Sequence, residues 1–149
     1  MGGAFHGAGV ITLDAKGRLA IPTRHRELLV VNRKPLVLTA HPDGCALLYQ
    51  EPEWEAVRAQ VDKFPSFHVQ ASWWKRLLLG FEEHVSPDGS GRILLPAALR
   101  THASLEREAM MVGQGHYFEL WDSGVWATKL GQALANTGTP PPGMEDFSL

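Results

Sequence analysis

Apolar and polar residues alternate along this chain in short runs broken by turn residues, with two longer stretches at helical spacing. In Arg18-Leu19-Ala20-Ile21 the alternation puts Leu19 and Ile21 on one side of a strand and Arg18 and Ala20 on the other. The apolar pair enters a core and the arginine stays outside. Leu36-Val37-Leu38-Thr39 and Cys45-Ala46-Leu47-Leu48-Tyr49 flank His41-Pro42-Asp43-Gly44 and predict a hairpin. A second hairpin is predicted from Met110 to Gly113 and Tyr117 to Trp121. After Pro52, residues Trp54, Val57, Val61 and Phe64 follow helical spacing. Another helix is predicted after Pro65, capped by Ser66, with Phe67, Ala71, Trp74, Leu78 and Phe81 as one apolar stripe. A short helix from Thr23 to Leu29 carries Arg24 and Arg26, with Pro22 at its first position, where no amide hydrogen is needed. From Gly131 onward, Thr139-Pro140-Pro141-Pro142-Gly143 and scarce periodic apolar content predict a mostly disordered tail.

The chain also repeats itself. Asp14-Ala15-Lys16-Gly17-Arg18-Leu19-Ala20-Ile21-Pro22 recurs 74 positions on (14 to 88) as Asp88-Gly89-Ser90-Gly91-Arg92-Ile93-Leu94-Leu95-Pro96. Arg26 meets Arg100 at the same offset. Tyr49 and Trp54 align with Trp121 and Trp126 after a slip of two residues, as a loop of different length would cause. Each motif residue has a physical job: the aspartate bonds its own backbone and opens a turn, and the glycine three residues later supplies a positive φ. Both copies therefore predict a tight reversal leading into a strand and a helix.

Composition narrows the function classes. With 149 residues, 44% hydrophobic and 20% charged, the chain suits one domain or two small units sharing a core. No apolar run approaches the roughly 20 residues of a bilayer crossing. A single cysteine, Cys45, and a start without the basic flank and apolar core of a signal peptide lead us to expect a reduced, cytoplasmic protein. The net charge of -2 averages two unlike regions. Residues 1–34 carry six bases (Lys16, Arg18, Arg24, Arg26, Arg33, Lys34) against two acids, whereas the remainder has eight bases and fourteen acids. This cationic segment is either a solvated surface or a patch for a polyanion.

A doubled Asp-x-x-Gly-Arg-x-x-x-Pro unit in a chain of this length resembles the MraZ family of bacterial transcriptional regulators. The resemblance spans Phe5 to about Lys129 and includes the Phe5-x-Gly7 opening, Leu77-Leu78-Leu79-Gly80 and Phe118-Glu119-Leu120-Trp121-Asp122. It implies an α+β fold: a double-ψ, swapped-hairpin AbrB-like β-barrel of two tandem repeats with flanking helices, assembling into a ring, typically an octamer. The corresponding division is a first, DNA-facing repeat at 5–52, connecting helices at 53–80, a second repeat at 81–129 and a flexible tail at 130–149. The resemblance also implies binding of double-stranded DNA at short direct repeats upstream of the division and cell-wall gene cluster, with repression of that cluster and a place at the nucleoid. No cofactor, metal or membrane is implied.

Carried onto this chain, the resemblance assigns DNA contact to Lys16 and Arg18, with Arg24 and Arg26 on the phosphate backbone. Arginine can grip a guanine edge with both prongs of its fork, while lysine acts as a point charge on phosphate. The competing reading of Arg18 is an ion pair with Asp14 that only pins the turn. Asp14, Gly17 and Pro22, with Asp88, Gly91, Arg92 and Pro96, are the residues that shape the two motifs. Three departures stand out. Ser90 replaces the motif lysine, which points the second unit toward a structural or interfacial role. His6 occupies the place of a common arginine, so phosphate contact there requires a charged imidazole. Met1 to Ala4 precede the usual opening, as an upstream start or an added leader would leave them.

A ring would multiply weak contacts, since avidity raises affinity by about 10² to 10⁴ without new chemistry. The five tryptophans are either core or glue between units. An enzyme reading finds little support: the seven histidines lack metal-ligand spacing, Gly7-Ala8-Gly9 and Gly113-Gln114-Gly115 each lack the third glycine of a dinucleotide fingerprint, and Cys45 reads as a small core residue. The alternative is an RNA-binding or protein-interaction scaffold, although the chain has no paired aromatic strand motif for stacking bases.

Overall fold

The structure is a computed structural model that describes residues 5–31, 35–136 and 138–148, with only the backbone described for residues 30 and 31. Arg33 and Lys34 of the cationic segment, and residues Met1 to Ala4, lie outside the described residues. The elements run β1 (Ala8–Thr12), β2 (Arg18–Ala20), α1 (Thr23–Arg26), β3 (Leu36–Ala40), β4 (Ala46–Gln50), α2 (Glu51–Val61), α3 (Val69–Gly80), β5 (Glu83–Val85), β6 (Arg92–Leu94), α4 (Ala97–His102), β7 (Glu108–Gly113), β8 (Tyr117–Asp122) and α5 (Ser123–Ala135). The second half repeats the first element by element; among the described residues α3 and the π-helical Glu27–Val31 have no counterpart.

The two halves exchange strands. A six-stranded antiparallel sheet has the order β1-β7-β8-β4-β3-β5, and β2 pairs with β6 in a separate ribbon. The first strand of each repeat thus lies on the hairpin of the other: Ala8 opposes Val112, and Val85 opposes Leu36. β4 and β8 join the hairpins at the middle, and the motif strands meet with Leu19 opposite Ile93. An isolated hairpin would leave its outer edge unpaired; the exchange covers that edge with backbone from the partner repeat.

Both faces of the large sheet are covered, so alternate side chains enter two cores. Leu36, Leu38, Leu48, Phe118, Leu120 and Met111 pack with Leu19, Ile21, Ile93 and Leu95 of the ribbon. The alternate residues Val37, Leu47, Tyr49 and Trp121 pack instead with Trp54, Val61 and Leu78 from the helices. This explains why β3 is buried at all five positions, unlike the one-sided pattern common in antiparallel sheets. Trp54, Trp121 and Trp126 belong to the helical core, while Trp73 and Trp74 are exposed on α3.

Several expected boundaries move. Pro22 and Pro96 sit one residue before their helices, at the cap, with ψ of 143° and 144°. Their fixed φ suits that extended position as well as a first helical turn. α1 stops at Arg26, and Glu27–Val31 continues as π-helix, so the expected Thr23 to Leu29 helix is only partly α-helical. Ser66 does not cap α3. Pro65 begins a turn closed by the His68 N–H on the Pro65 carbonyl, and the helix starts at Val69 with His68 Nδ1 accepting from the Ala71 N–H at 3.1 Å. Phe67 is stranded in that turn, fully exposed, and is no part of the stripe, of which Leu78 is the buried member. The reach from Gly131 to Ala135, expected within the tail, is the end of α5, where Gln132, Ala133, Leu134 and Ala135 favour helix.

An ionic clasp joins the repeats at β5. His84 Nε2 lies 2.8 Å from Glu82 and Nδ1 lies 3.0 Å from Glu51 at the start of α2, with Arg58 3.6 Å from Glu82. A ring donating from both nitrogens is an imidazolium. The bond to Glu82, then that to Glu51, hold its pKa above the ordinary histidine value. A raised folded-state pKa gives stabilisation that is complete below the unfolded value and is lost as pH rises through the folded one. Thermal unfolding of wild type and His84→Gln at several pH values should therefore show a gap that is widest below about pH 6 and closes as the solution turns alkaline. A gap that widened with pH would contradict the clasp.

Candidate nucleic-acid interface

The two motif turns are built alike. Asp14 Oδ1 accepts the backbone N–H groups of Lys16 and Arg18, both at 2.9 Å, and Gly17 N–H bonds the Asp14 carbonyl at 3.0 Å. In the second turn Asp88 Oδ1 accepts from Ser90 and Arg92 at 2.8 and 2.9 Å. Gly17 and Gly91 have φ of +83° and +75°, the left-handed region that the sequence required of them. The Arg18 backbone N–H is the main cause holding the Asp14 carboxyl below its usual pKa, and that of Arg92 does the same for Asp88. Both carboxylates stay charged at neutral pH.

The arginines of the motif flank these carboxylates. Arg18 Nε donates to Asp14 Oδ2 at 2.7 Å, and Arg92 Nε to Asp88 Oδ2 at 3.2 Å; Arg92 Nη1 also comes within 4.0 Å of Asp14. The ion pair weighed against DNA contact therefore exists. It engages Nε alone: among the described residues the terminal nitrogens of Arg18 make no hydrogen bond, and its side chain is 32% exposed. Arg18 and Ala20 share the outer face of the ribbon with Arg92 and Leu94, the opposite side from Leu19 and Ile93.

Arg26 and Arg100 brace the turns crosswise. Arg26 Nε donates to the Ile21 carbonyl at 2.9 Å, and its guanidinium lies against Gly91 of the other repeat; Arg100 Nε donates to the Leu95 carbonyl at 3.1 Å and lies against Gly17. A methyl group at Gly17 would come within 2.6 Å of the Arg100 guanidinium, so that glycine serves close approach as well as φ. The matched pair shows that Arg26 has a structural task independent of any ligand. Offset spacing had paired the two arginines, but nothing local revealed that each reaches the other repeat's turn.

Lys16 and Arg24 have no such twins. Lys16 is exposed on the turn, its ammonium unpartnered among the described residues, and Ser90 stands at its place in the second repeat. Arg24 corresponds to Ala98 and is held on one edge: Nε donates to His25 Nε2 at 3.1 Å and Nη2 to the His6 carbonyl at 3.2 Å. The structure thus groups the expected contact residues as Lys16 with Arg18 on the first turn and Arg24 with His6 at the start of β1. His25, Gly7 and Gly113 complete the second group; sequence reading weighed His25 only among the seven histidines without metal-ligand spacing, and nothing local pointed to its contact with Arg24.

A concavity of about 560 Å³ beside the first turn is lined by Leu13, Asp14, Ala15, Arg100, Leu105, Glu106 and Arg107, its charges evenly mixed. Cys45 is fully buried and burial pushes its thiol upward, away from the thiolate a nucleophile needs. No helix is long and apolar enough to cross a membrane among the described residues.

Comparison with known proteins places both halves of the chain. The family model described as "MraZ protein, putative antitoxin-like" matches residues 4–77 and again 78–139. Proteins named "Transcriptional regulator MraZ" from Aromatoleum aromaticum, Paraburkholderia phytofirmans and Cupriavidus taiwanensis are 47%, 46% and 45% identical over 146 residues, 97% of this chain and 99% of each relative.

Proposed function

The chain belongs to the MraZ family, and from that premise we propose that it is a sequence-specific, DNA-binding transcriptional regulator whose first repeat meets the duplex. One observation carries the reading. Two halves of matched construction differ in charge at the places where the fold needs none, Lys16 against Ser90 and Arg24 against Ala98. Asp14, Arg18 and Arg26 have counterparts that do the same structural work, so the surplus cations mark the side that faces a polyanion. In this reading Lys16 contacts phosphate, the free prongs of Arg18 read a base edge, Arg24 grips the backbone near His6, and Arg26 supports the second turn.

The finer parts of the proposal follow the family resemblance. The operator is a set of short direct repeats upstream of the division and cell-wall cluster, the regulation is repression, the setting is the cytoplasm at the nucleoid, and the working form is a closed ring, typically eight copies of an AbrB-like swapped-hairpin pseudo-dimer. Trp73 and Trp74, 58% and 39% exposed on α3, are suited to contacts between copies. A protomer with one or two phosphate contacts binds weakly at physiological salt, so the ring supplies the affinity.

Light scattering with and without a duplex from upstream of its own gene tests this directly, together with retardation at rising salt. The expected result is a multi-subunit mass, a heavier complex and binding that weakens steeply between 50 and 200 mM salt, as phosphate contacts require. A monomer, a flat salt response, or equal displacement of the duplex by unrelated RNA would overturn it.

A further inference from the structure

We propose that His25 is a positioning residue for Arg24, accepting one edge of its guanidinium so that the remaining edge is presented to the nucleic-acid backbone. The inference rests on the DNA-binding reading above and adds a residue that neither the motif nor its spacing contains. His25 is 8% exposed, and its ring packs on Phe118 at 4.6 Å between centroids, with Phe5 stacked on the same phenylalanine at 4.6 Å. Burial first, then the neighbouring Arg24 and His6 charges, hold its pKa below the ordinary histidine value. The ring is therefore neutral at neutral pH, and Nε2 keeps the lone pair that receives Arg24 Nε–H.

The seat is completed from the chain's start. Gly7 has φ +93°, and a Cβ built there would land on Arg24 Nη2; the glycine leaves room for the guanidinium to lie on backbone. The His6 carbonyl accepts from Nη2, which leaves Nη1 as the end without a hydrogen bond among the described residues. Gly113, in turn, passes under Phe5 and His6 where a Cβ would come within 2.5 Å of His6 N. Long side chains lose rotamer freedom on binding, so an arginine already held on one edge loses less.

The second repeat supplies the control. Leu99 stands at the position of His25, buried to 1% exposure, and its neighbour is Ala98 instead of an arginine. Packing alone is served by leucine. The histidine appears only where an arginine needs an acceptor.

His25→Leu imports the second repeat's own solution, keeping apolar packing and removing the acceptor, while His25→Gln keeps an acceptor at the same reach. His25→Leu is expected to weaken duplex binding by about 3- to 10-fold and His25→Gln by less than about twofold, with unchanged oligomer mass. In an Arg24→Ala background the His25→Leu effect should vanish, because the two act through one contact. In the free protein the Arg24 Nε–H resonance should be protected from exchange in wild type and His25→Gln and lost in His25→Leu. An unprotected Arg24 in the wild type, or a His25→Leu penalty that persists without Arg24, would overturn the positioning role. Protection without any duplex binding would overturn the DNA reading while leaving the pinned arginine standing.

Discussion

Removing both cations of the first turn, Lys16→Ala with Arg18→Ala, is expected to lower duplex affinity by about 10²- to 10³-fold and to flatten its salt dependence. Lys16 has no partner among the described residues, so its loss subtracts the outward charge, and each phosphate contact removed takes roughly one unit from the slope of log affinity against log salt. On the proposed reading Arg18 would add base discrimination, where a bidentate contact contributes about 1–3 kcal/mol. In an assembly the deficit is repeated at every engaged copy. The turn itself survives, because Asp14 Oδ1 still receives the backbone N–H groups of residues 16 and 18. Retardation of promoter DNA across a salt series, with light scattering to show unchanged mass, reads the result. Normal binding by the double variant would remove the first turn from the interface.

Phe118→Ala should destabilise the fold by about 3–5 kcal/mol, the range for emptying a buried aromatic site. Phe118 is fully buried on β8, one of the two strands that join the hairpins at the middle of the large sheet, and it carries both Phe5 and His25 on its ring. The cavity cannot collapse easily, since covering strands approach from both repeats. For a chain of this size the loss corresponds to a fall in melting temperature of about 10 °C. Trp73→Ala, on the exposed side of α3, should leave the unfolding of the free protomer within about 1 kcal/mol of wild type. Denaturant titrations of the two variants side by side make the contrast. A Phe118→Ala protein as stable as wild type would mean that the strand exchange does not rest on this ring.

The limits of sequence reading fall at particular residues. Asp14, Gly17, Asp88 and Gly91 were legible because an aspartate bonding two residues ahead and a glycine at positive φ are local chemistry. The hairpins at β3–β4 and β7–β8 were legible for the same reason. Phe67 was misplaced because helical spacing continues on paper through a turn that Pro65 and His68 close in space. Arg26 was expected at the phosphate backbone from the family resemblance, and only Gly91 from the other repeat shows that it also braces a turn. His25 drew no role from the sequence beyond lacking metal-ligand spacing; it is buried in the fold, and its second role depends on what its Nε2 meets.

The order of residues alone settled the doubling of the unit, the two turns, the faces of the motif strands and the concentration of positive charge in the first copy, since each depends on neighbours within a few positions. It left open which strands pair between the halves, that both sides of the large sheet are covered, and that one copy's arginine braces the other's glycine. Those follow from contacts between groups 45 (Leu38 to Glu83) to 104 (Ala8 to Val112) residues apart, where hydrogen bonds and packing between the halves, and not local preference, select the arrangement.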